Sequence, residues 1–482
     1  MITRNETRSR DARRNMRKGG SRRRPSARLH LTLHLSRNTC VALAVASLLS
    51  ACKPQEDKLA LIGAEVFDGT GAPVIRDAVI VVANGRIEAI GASHVVPVPR
   101  GAREMRLDGK WVIPGLIDAH THAERWTLER FLAYGVTSIR DLGGRLDSVV
   151  ALRDRVAAGV ILGPRMYISG AMIDAAPATW RSATVVRTGT EARRAIDRLA
   201  LIDAAQAKIY TKIDRRLLRP LMDEAAELNF PVAAHLGRVD ALTAARFGVS
   251  VLEHMSGVVE ATVENPTPFR RAHNDFFTGW NLVERAWANL DSASLDRTAR
   301  ELVQAGVAIV PTLALHEAYS RLTDQAYITR LDLSGVPDSA RQAWDIPDLV
   351  RRARLTAADF TAFRRSRPAQ DRFVRLYRRA GGVVAAGTDT PKQLLAPGAS
   401  LHDELALLVD AGLTPQEALL AATQYAARLF EADSIGVLRP GGVADLLVLT
   451  GNPLEDIQNT RNIEMIMAYG STYRPTDFKA RW

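Results

Sequence analysis

The sequence predicts an α/β fold: a (β/α)8 TIM barrel with a small β-sandwich domain built from both chain ends. Three observations predict it. Eight short apolar segments between about Pro114 and Ala432 alternate with amphipathic helical segments, the pattern of a parallel barrel. Strand-like segments punctuated by turns flank that middle on both sides. At 482 residues the chain is also too long for one small core, so a large domain with an accessory one is expected.

Residues 1–51 read as a signal peptide with a lipobox. The net charge of +11 sits almost wholly there, with twelve Arg and Lys against two acidic residues, so the remainder is close to neutral. The basic balance therefore argues for no nucleic-acid partner. An Arg-rich stretch precedes the apolar run TCVALAVASLLSAC, which is too short for a comfortable membrane span. Its end, Leu49-Ser50-Ala51-Cys52, resembles a bacterial lipobox, which implies cleavage before Cys52 and lipidation of that residue. A plain signal peptide or an uncleaved anchor is the alternative. Cys40 and Cys52 are the only cysteines, so a lipidated chain has no disulfide and relies on its core and any metal.

A polar tether follows at 52–57, then short strands in 58–113: LALIGAEVFDGTG, DAVIVVANGRIEAIG and GKWVIPG. Asn84-Gly85 signals a hairpin. Residues 433–482 read the same way, through GVLRPGGVADLLVLTG and NIEMIMAYGSTY. The two segments together are the expected composite sandwich, and 114–432 the barrel. Barrel strand candidates are GLIDAHTH, GVTSIRDLG, RMYISGAM, QAKIYTKI, FPVAAHLG, VSVLEHMSG, VAIVPTLALH and VVAAGTDT. Helices such as TEARRAIDRLALIDAA and LLRPLMDEAAELN separate them. A doubly wound open sheet is the structural alternative, and the lack of a dinucleotide fingerprint after the first strand counts against it. The Arg-rich, mostly helical stretch between His316 and Asp389 reads equally as a solvated insertion or as a lid.

Candidate chemistry gathers at strand ends, which in a barrel face the active site. His120 and His122 stand one residue apart on a strand, so both rings project to one face, as two nitrogen ligands of one metal must. Lys208 lies in the fourth strand, His235 closes the fifth, His254 the sixth and Asp389 the eighth. Lys212, four residues after Lys208, competes for the same role. Tyr210 shares the strand face of Lys208. Arg140 and Arg238, beside strand ends, read equally as holders of a substrate carboxylate or as surface or salt-bridge residues. His402 reads as a structural or supporting residue, and His94, His273 and His316 as ordinary ones.

On PGLIDAHTH, KIY, AAHLG, LEHMSG and AAGTDT, the chain resembles the metal-dependent amidohydrolase superfamily, in its imidazolonepropionase-like and prolidase-like branch. The tail SLHDELALLVDAGLTPQEALLAATQYAARLF and GVLRPGGVADLLVL are similar to that family too, so the likeness runs from about residue 58 to the C-terminus. The resemblance implies two divalent metals, zinc by default: one on His120 and His122 with Asp389, a second on His235 and His254. It implies a carboxylated Lys208 bridging them. A lysine enclosed by cations and apolar walls loses basicity and can react as the free amine, and the resulting carbamate offers two oxygens to two cations. The implied reaction is attack of a metal-bound hydroxide on the C–N bond of an amide, cyclic amide or dipeptide-like small molecule. Asp389 would shuttle the proton, and Tyr210 would donate to the oxyanion or hold a substrate carboxylate.

Two further readings stay open. One is a lactonase or esterase on the same metal site; the other is a non-catalytic scaffold on this fold, against which the full ligand set argues. The expected location is the cell envelope, lipid-anchored on the periplasmic face of the outer membrane, because Lys53 rather than Asp follows Cys52. The sequence leaves the oligomeric state open.

Overall fold

The computed structural model describes residues 58–482; the leader, the tether and Cys52 lie outside the described residues. The described chain enters through β1 (Leu59–Val66), β2 (Ile75–Ala83), β3 (Arg86–Ala92), β4 (Arg103–Arg106) and β5 (Trp111–Pro114). β1, β2 and β3 pair antiparallel. The β2–β3 connection is the Asn84-Gly85 turn, with φ of 52° and 70°, the double positive φ that a type I′ hairpin needs.

Next come β6 (Leu116–Thr121), β7 (Val136–Asp141), β8 (Arg165–Ile168), β9 (Ile173–Ala175), β10 (Thr184–Val186), β11 (Ala207–Ile209), β12 (Val232–Ala234), β13 (Val251–Glu253), β14 (Ala308–Val310) and β15 (Val383–Val384). Every pairing among them is parallel, β6–β7–β8 in one set and β10–β9–β11–β12–β13–β14–β15 in another. Backbone hydrogen bonds join the sets on both sides. The Ala205 N–H, just before β11, donates to Ile168 O at the end of β8, and the Ala119 N–H of β6 donates to Ala386 O beyond β15, both at 2.9 Å. The fold is α/β, consistent with a TIM-barrel-like domain. β9 and β10 are not among the strands expected from sequence; three residues each is too little for a period to show.

Several strands are shorter than their apolar runs. In VAIVPTLALH only Ala308–Val310 is strand, and a helix spans Leu313–Ser320. Pro311 supplies no N–H to a ladder, and Thr312 turns the chain with φ 50°. The expected helices form at Gly189–Leu201 and Arg215–Glu227, capped by Thr188 and Asp214, whose side chains accept from the N–H three residues on.

The chain then returns through β16 (Leu446–Leu449), β17 (Ile463–Ala468) and β18 (Ser471–Tyr473). β16 pairs antiparallel with β5, so both chain ends form one eight-stranded sheet. The period of two is visible in its burial. Leu446, Val448, Met465 and Met467 pack with Leu61 and Ile80 on one face. Leu447, Leu449, Ile466 and Ala468 point the other way, into the core shared with Leu116, Phe131 and Val136.

The Arg-rich stretch before Asp389 contains helices Ile346–Arg352 and Ala357–Arg379. It is not merely a solvated face. Leu349, Phe360 and Phe363 share an apolar cluster with Trp280 and Leu394, and Leu349 and Arg352 line the cleft described next. Among the described residues no helix is long and apolar enough to cross a membrane.

Candidate metal centre

His120 lies in β6 and His122 one residue past its end, and their Nε2 atoms converge on Asp389 Oδ1 at 3.5 and 2.9 Å. One donor atom from each of the three lies within 4.8 Å of the others. Asp389 sits beyond β15 on a turn with φ 63°, and His254 beyond β13 with φ 57°. Such left-handed residues cost about 1–2 kcal/mol each outside glycine, and here they swing both side chains inward at the strand ends. The loop carrying Asp389 is stitched to β6 by Asp118, which accepts from the Thr388 N–H (3.0 Å) and the Thr388 hydroxyl (2.6 Å).

The far side of each ring is occupied. His120 Nδ1–H donates to Glu253 Oε2 at 2.7 Å, and His122 Nδ1–H donates to the Gly143 carbonyl at 2.7 Å. His254 Nδ1 meets the Thr312 hydroxyl at 2.8 Å. A proton on Nδ1 leaves the lone pair on Nε2, which in His120 and His122 is the atom facing Asp389. Burial, first of all, pushes His120 down to about 4 and holds His235 and His254 well below the usual imidazole range. All are therefore neutral at pH 7, the form that binds metals.

The His254 ring centroid lies 4.5 Å from that of His120 and 4.7 Å from that of His235. Lys208 of β11 completes the group. It is 1% exposed, and its Nζ has no hydrogen-bond partner among the described residues. Burial, helped by the Arg140 charge, lowers its pKa to about 8 against the opposing pull of Glu253 and Asp389. An orphaned, weakly basic amine among four imidazoles and a carboxylate suits a divalent-metal site in which that amine becomes an anionic ligand. Asp389 remains ionised. Burial would raise it, but Lys392, His120 and His122 hold it well below the carboxylate range.

All six candidate ligands and Tyr210 line one cleft of about 1180 Å³. The Tyr210 ring lies 4.8 Å from that of His235, and burial raises its phenol well above the ordinary value, so it keeps its proton as a donor. Lys212 is elsewhere: its Nζ donates to Pro177 O at 2.7 Å. His402 is structural, held between Thr460 and the Tyr134 carbonyl. His273 pairs with Glu260 and His316 with Glu284, and His94 is exposed.

Arg140 takes the salt-bridge role and not the carboxylate-binding one. It is fully buried and binds Glu253, the Ala119 carbonyl and Gln206, so it meets no substrate carboxylate. Arg238 bonds Asn274 and does not line the cleft. Glu253 is the residue that sequence reasoning passed over. Burial alone would raise it, yet Lys208, Arg140 and His120 hold it at about 2. Its signal was present: a carboxylate in an otherwise apolar strand, one residue before a candidate ligand.

Gly387 is required by close approach. A Cβ there would stand 2.8 Å from His120 Cβ and 2.6 Å from Val310 Cγ1. Gly387→Ala is expected to cost about 1–3 kcal/mol, the usual range for overpacking, and to lower metal content by displacing His120. Urea denaturation and elemental analysis of the variant check both, and wild-type values in both would show that the strand ends yield freely.

Residues 111–472 match the family described as "Amidohydrolase family". The imidazolonepropionase of Saccharopolyspora erythraea is 26% identical over 398 residues, covering 78% of this chain and 87% of that protein. The ochratoxinase of Aspergillus niger is 24% identical over 375 residues, covering 68% of this chain and 62% of that one. Among solved structures, a proposed prolidase from Bifidobacterium longum aligns with a TM-score of 0.65 at 26% identity, over 89% of this chain and 98% of that chain.

Proposed function

From the premise that this chain belongs to the amidohydrolase family, a hydrolase acting on C–N bonds, we propose a metal-dependent enzyme that cleaves an amide, cyclic amide or dipeptide-like small molecule. The observation that carries the metal reading is the convergence of His120, His122 and Asp389, with their nitrogens turned inward by acceptors behind the rings. In this reading the parallel strands form a (β/α)8 barrel over 114–432, and 58–113 with 433–482 form a β-sandwich domain. His120, His122 and Asp389 would hold one ion, His235 and His254 a second, and Lys208, carboxylated on its amine, would reach both.

Two such ions, when bound, polarise a carbonyl and acidify a water molecule. The chain's own residues do the rest. Asp389 accepts the proton of the attacking water and delivers it to the leaving nitrogen. The Tyr210 hydroxyl donates to the oxygen that gains charge. The water oxygen joins the acyl carbon, the C–N bond breaks, and a carboxylic acid and an amine leave. Zinc suits this His/carboxylate set first, with manganese, cobalt or iron as alternatives.

The test is elemental analysis followed by a substrate screen. About two ions per chain are expected after growth with added zinc, and His122→Ala should lose bound metal and turnover together. Near-zero metal in the wild-type protein would overturn the metal reading. Turnover confined to lactones would overturn the C–N choice.

The lipid anchor at Cys52 and a location on the periplasmic face of the outer membrane belong to the same proposal and rest on the leader sequence. Mass analysis of the processed N-terminus tests them: an unmodified Cys52 removes the anchor.

A further inference from the structure

The cleft in front of the centre is lined by two unlike sets of side chains. Aromatic residues make up 6% of the chain, yet six line this cleft: Trp180, Tyr210, Phe276, Phe277, Trp280 and Tyr319. Phe276 lies nearly parallel to Trp280 and to Tyr210, at interplanar angles of 17° and 19°. A stack of aromatic rings therefore forms an apolar face that extends away from the His235 ring, whose centroid is 6.0 Å from that of Phe276. Such a face gains most from a planar apolar group laid against it.

The second set is cationic. Arg145, Arg181, Arg352 and Lys392 line the cleft, against Asp147 and Asp389 as its acids. That balance disfavours a cationic substrate. Arg352 is already paired with Asp348. Lys392 is not paired in this way. It is half-buried, makes no ion pair or side-chain hydrogen bond among the described residues, and has its Nζ 5.8 Å from the Trp180 ring centroid. The acid nearest it in sequence, Asp389, is engaged with His122. A half-buried ammonium three residues beyond that carboxylate is placed to meet a negative group on the substrate, close to the scissile bond.

We propose that the cleft takes an amide bearing both a carboxylate and a planar aromatic group, as in an N-acyl aromatic amino acid. Lys392 pairs with the carboxylate and the Phe276–Trp280 face receives the ring. This substrate class rests on the C–N hydrolase reading above, and Lys392 is a specificity residue within it.

The test uses the metal-loaded full chain and a matched set: N-acetyl-phenylalanine, its C-terminal carboxamide, N-acetyl-alanine and a simple lactone. N-acetyl-phenylalanine is expected to exceed both other amides by about tenfold or more in kcat/KM, with the loss taken mainly in KM. Lys392→Gln is expected to lower the acid-to-carboxamide ratio about tenfold, again through KM. A role confined to tuning Asp389 would instead move both substrates together and leave that ratio unchanged. A second readout needs no turnover. In metal-stripped protein, quenching of tryptophan fluorescence should show acid binding about tenfold tighter than carboxamide, and Lys392→Gln should remove the difference.

Hydrolysis of the amides with no preference for acid or ring overturns this inference alone. Equal binding of acid and carboxamide overturns the Lys392 pairing whatever the activity. Turnover of the lactone with none of the amides overturns the C–N reading and this inference with it.

Discussion

Asp389→Asn is expected to lower kcat by about 10³-fold, the middle of the range for a lost general acid–base group, while much of the bound metal is kept. The amide has the size of the carboxyl and retains an oxygen toward His122, now 2.9 Å from Asp389 Oδ1. It cannot take a proton from water and return it to nitrogen. The loss should fall on kcat rather than on KM, because the side chain acts on the reacting atoms and not on the remote parts of the substrate. Steady-state kinetics beside elemental analysis decide the point. A variant that keeps its metal and stays within about tenfold of wild type would remove Asp389 from proton transfer.

Glu253→Ala is expected to be the most damaging change that touches no substrate. Glu253 and Arg140 are both fully buried and pair at 2.9 Å. Deleting one member of a buried pair leaves the other charge without compensation, which costs about 3–5 kcal/mol of stability. The same change removes the acceptor that holds His120 Nδ1–H and orients its ring. Loss of such an orienting partner typically lowers metal affinity by about 10–100-fold. Glu253→Gln keeps an oxygen for His120 without the charge, so it should recover more of the metal affinity than of the stability. Urea denaturation and titration against a chelator separate the two effects. Wild-type behaviour in both would mean that Arg140 and His120 find other partners.

The two variants probe different layers of one site, and those layers were not equally legible in the sequence. His120 and His122 could be read because their geometry is local: two residues apart on a strand face one way. His235, His254 and Asp389 could be read because each ends an apolar run. Glu253 and Arg140 carry the same kind of signal, a charge within an apolar strand, but nothing local says that residues 113 positions apart are partners. Arg140 therefore read equally as a substrate contact or an ion-pair partner, and only its burial between Glu253, Ala119 and Gln206 decides for the second.

Lys208 and Lys212 mark the same boundary. By period alone they share a strand face. β11 ends at Ile209, so Lys212 lies past the strand, and the carbonyl of Pro177 captures its ammonium. The sequence by itself determined the alternation of strands and helices, the Asn84-Gly85 hairpin and the identities of the candidate ligands, since each follows from the steric and apolar character of a few neighbouring residues. The tertiary structure alone decided which lysine stays unpartnered, which carboxylate holds His120 from behind, and that six aromatic side chains share the cleft with Lys392. Those outcomes depend on where strands stop and on which distant chain segment fills the space beside them, and that is set by the packing of the whole chain.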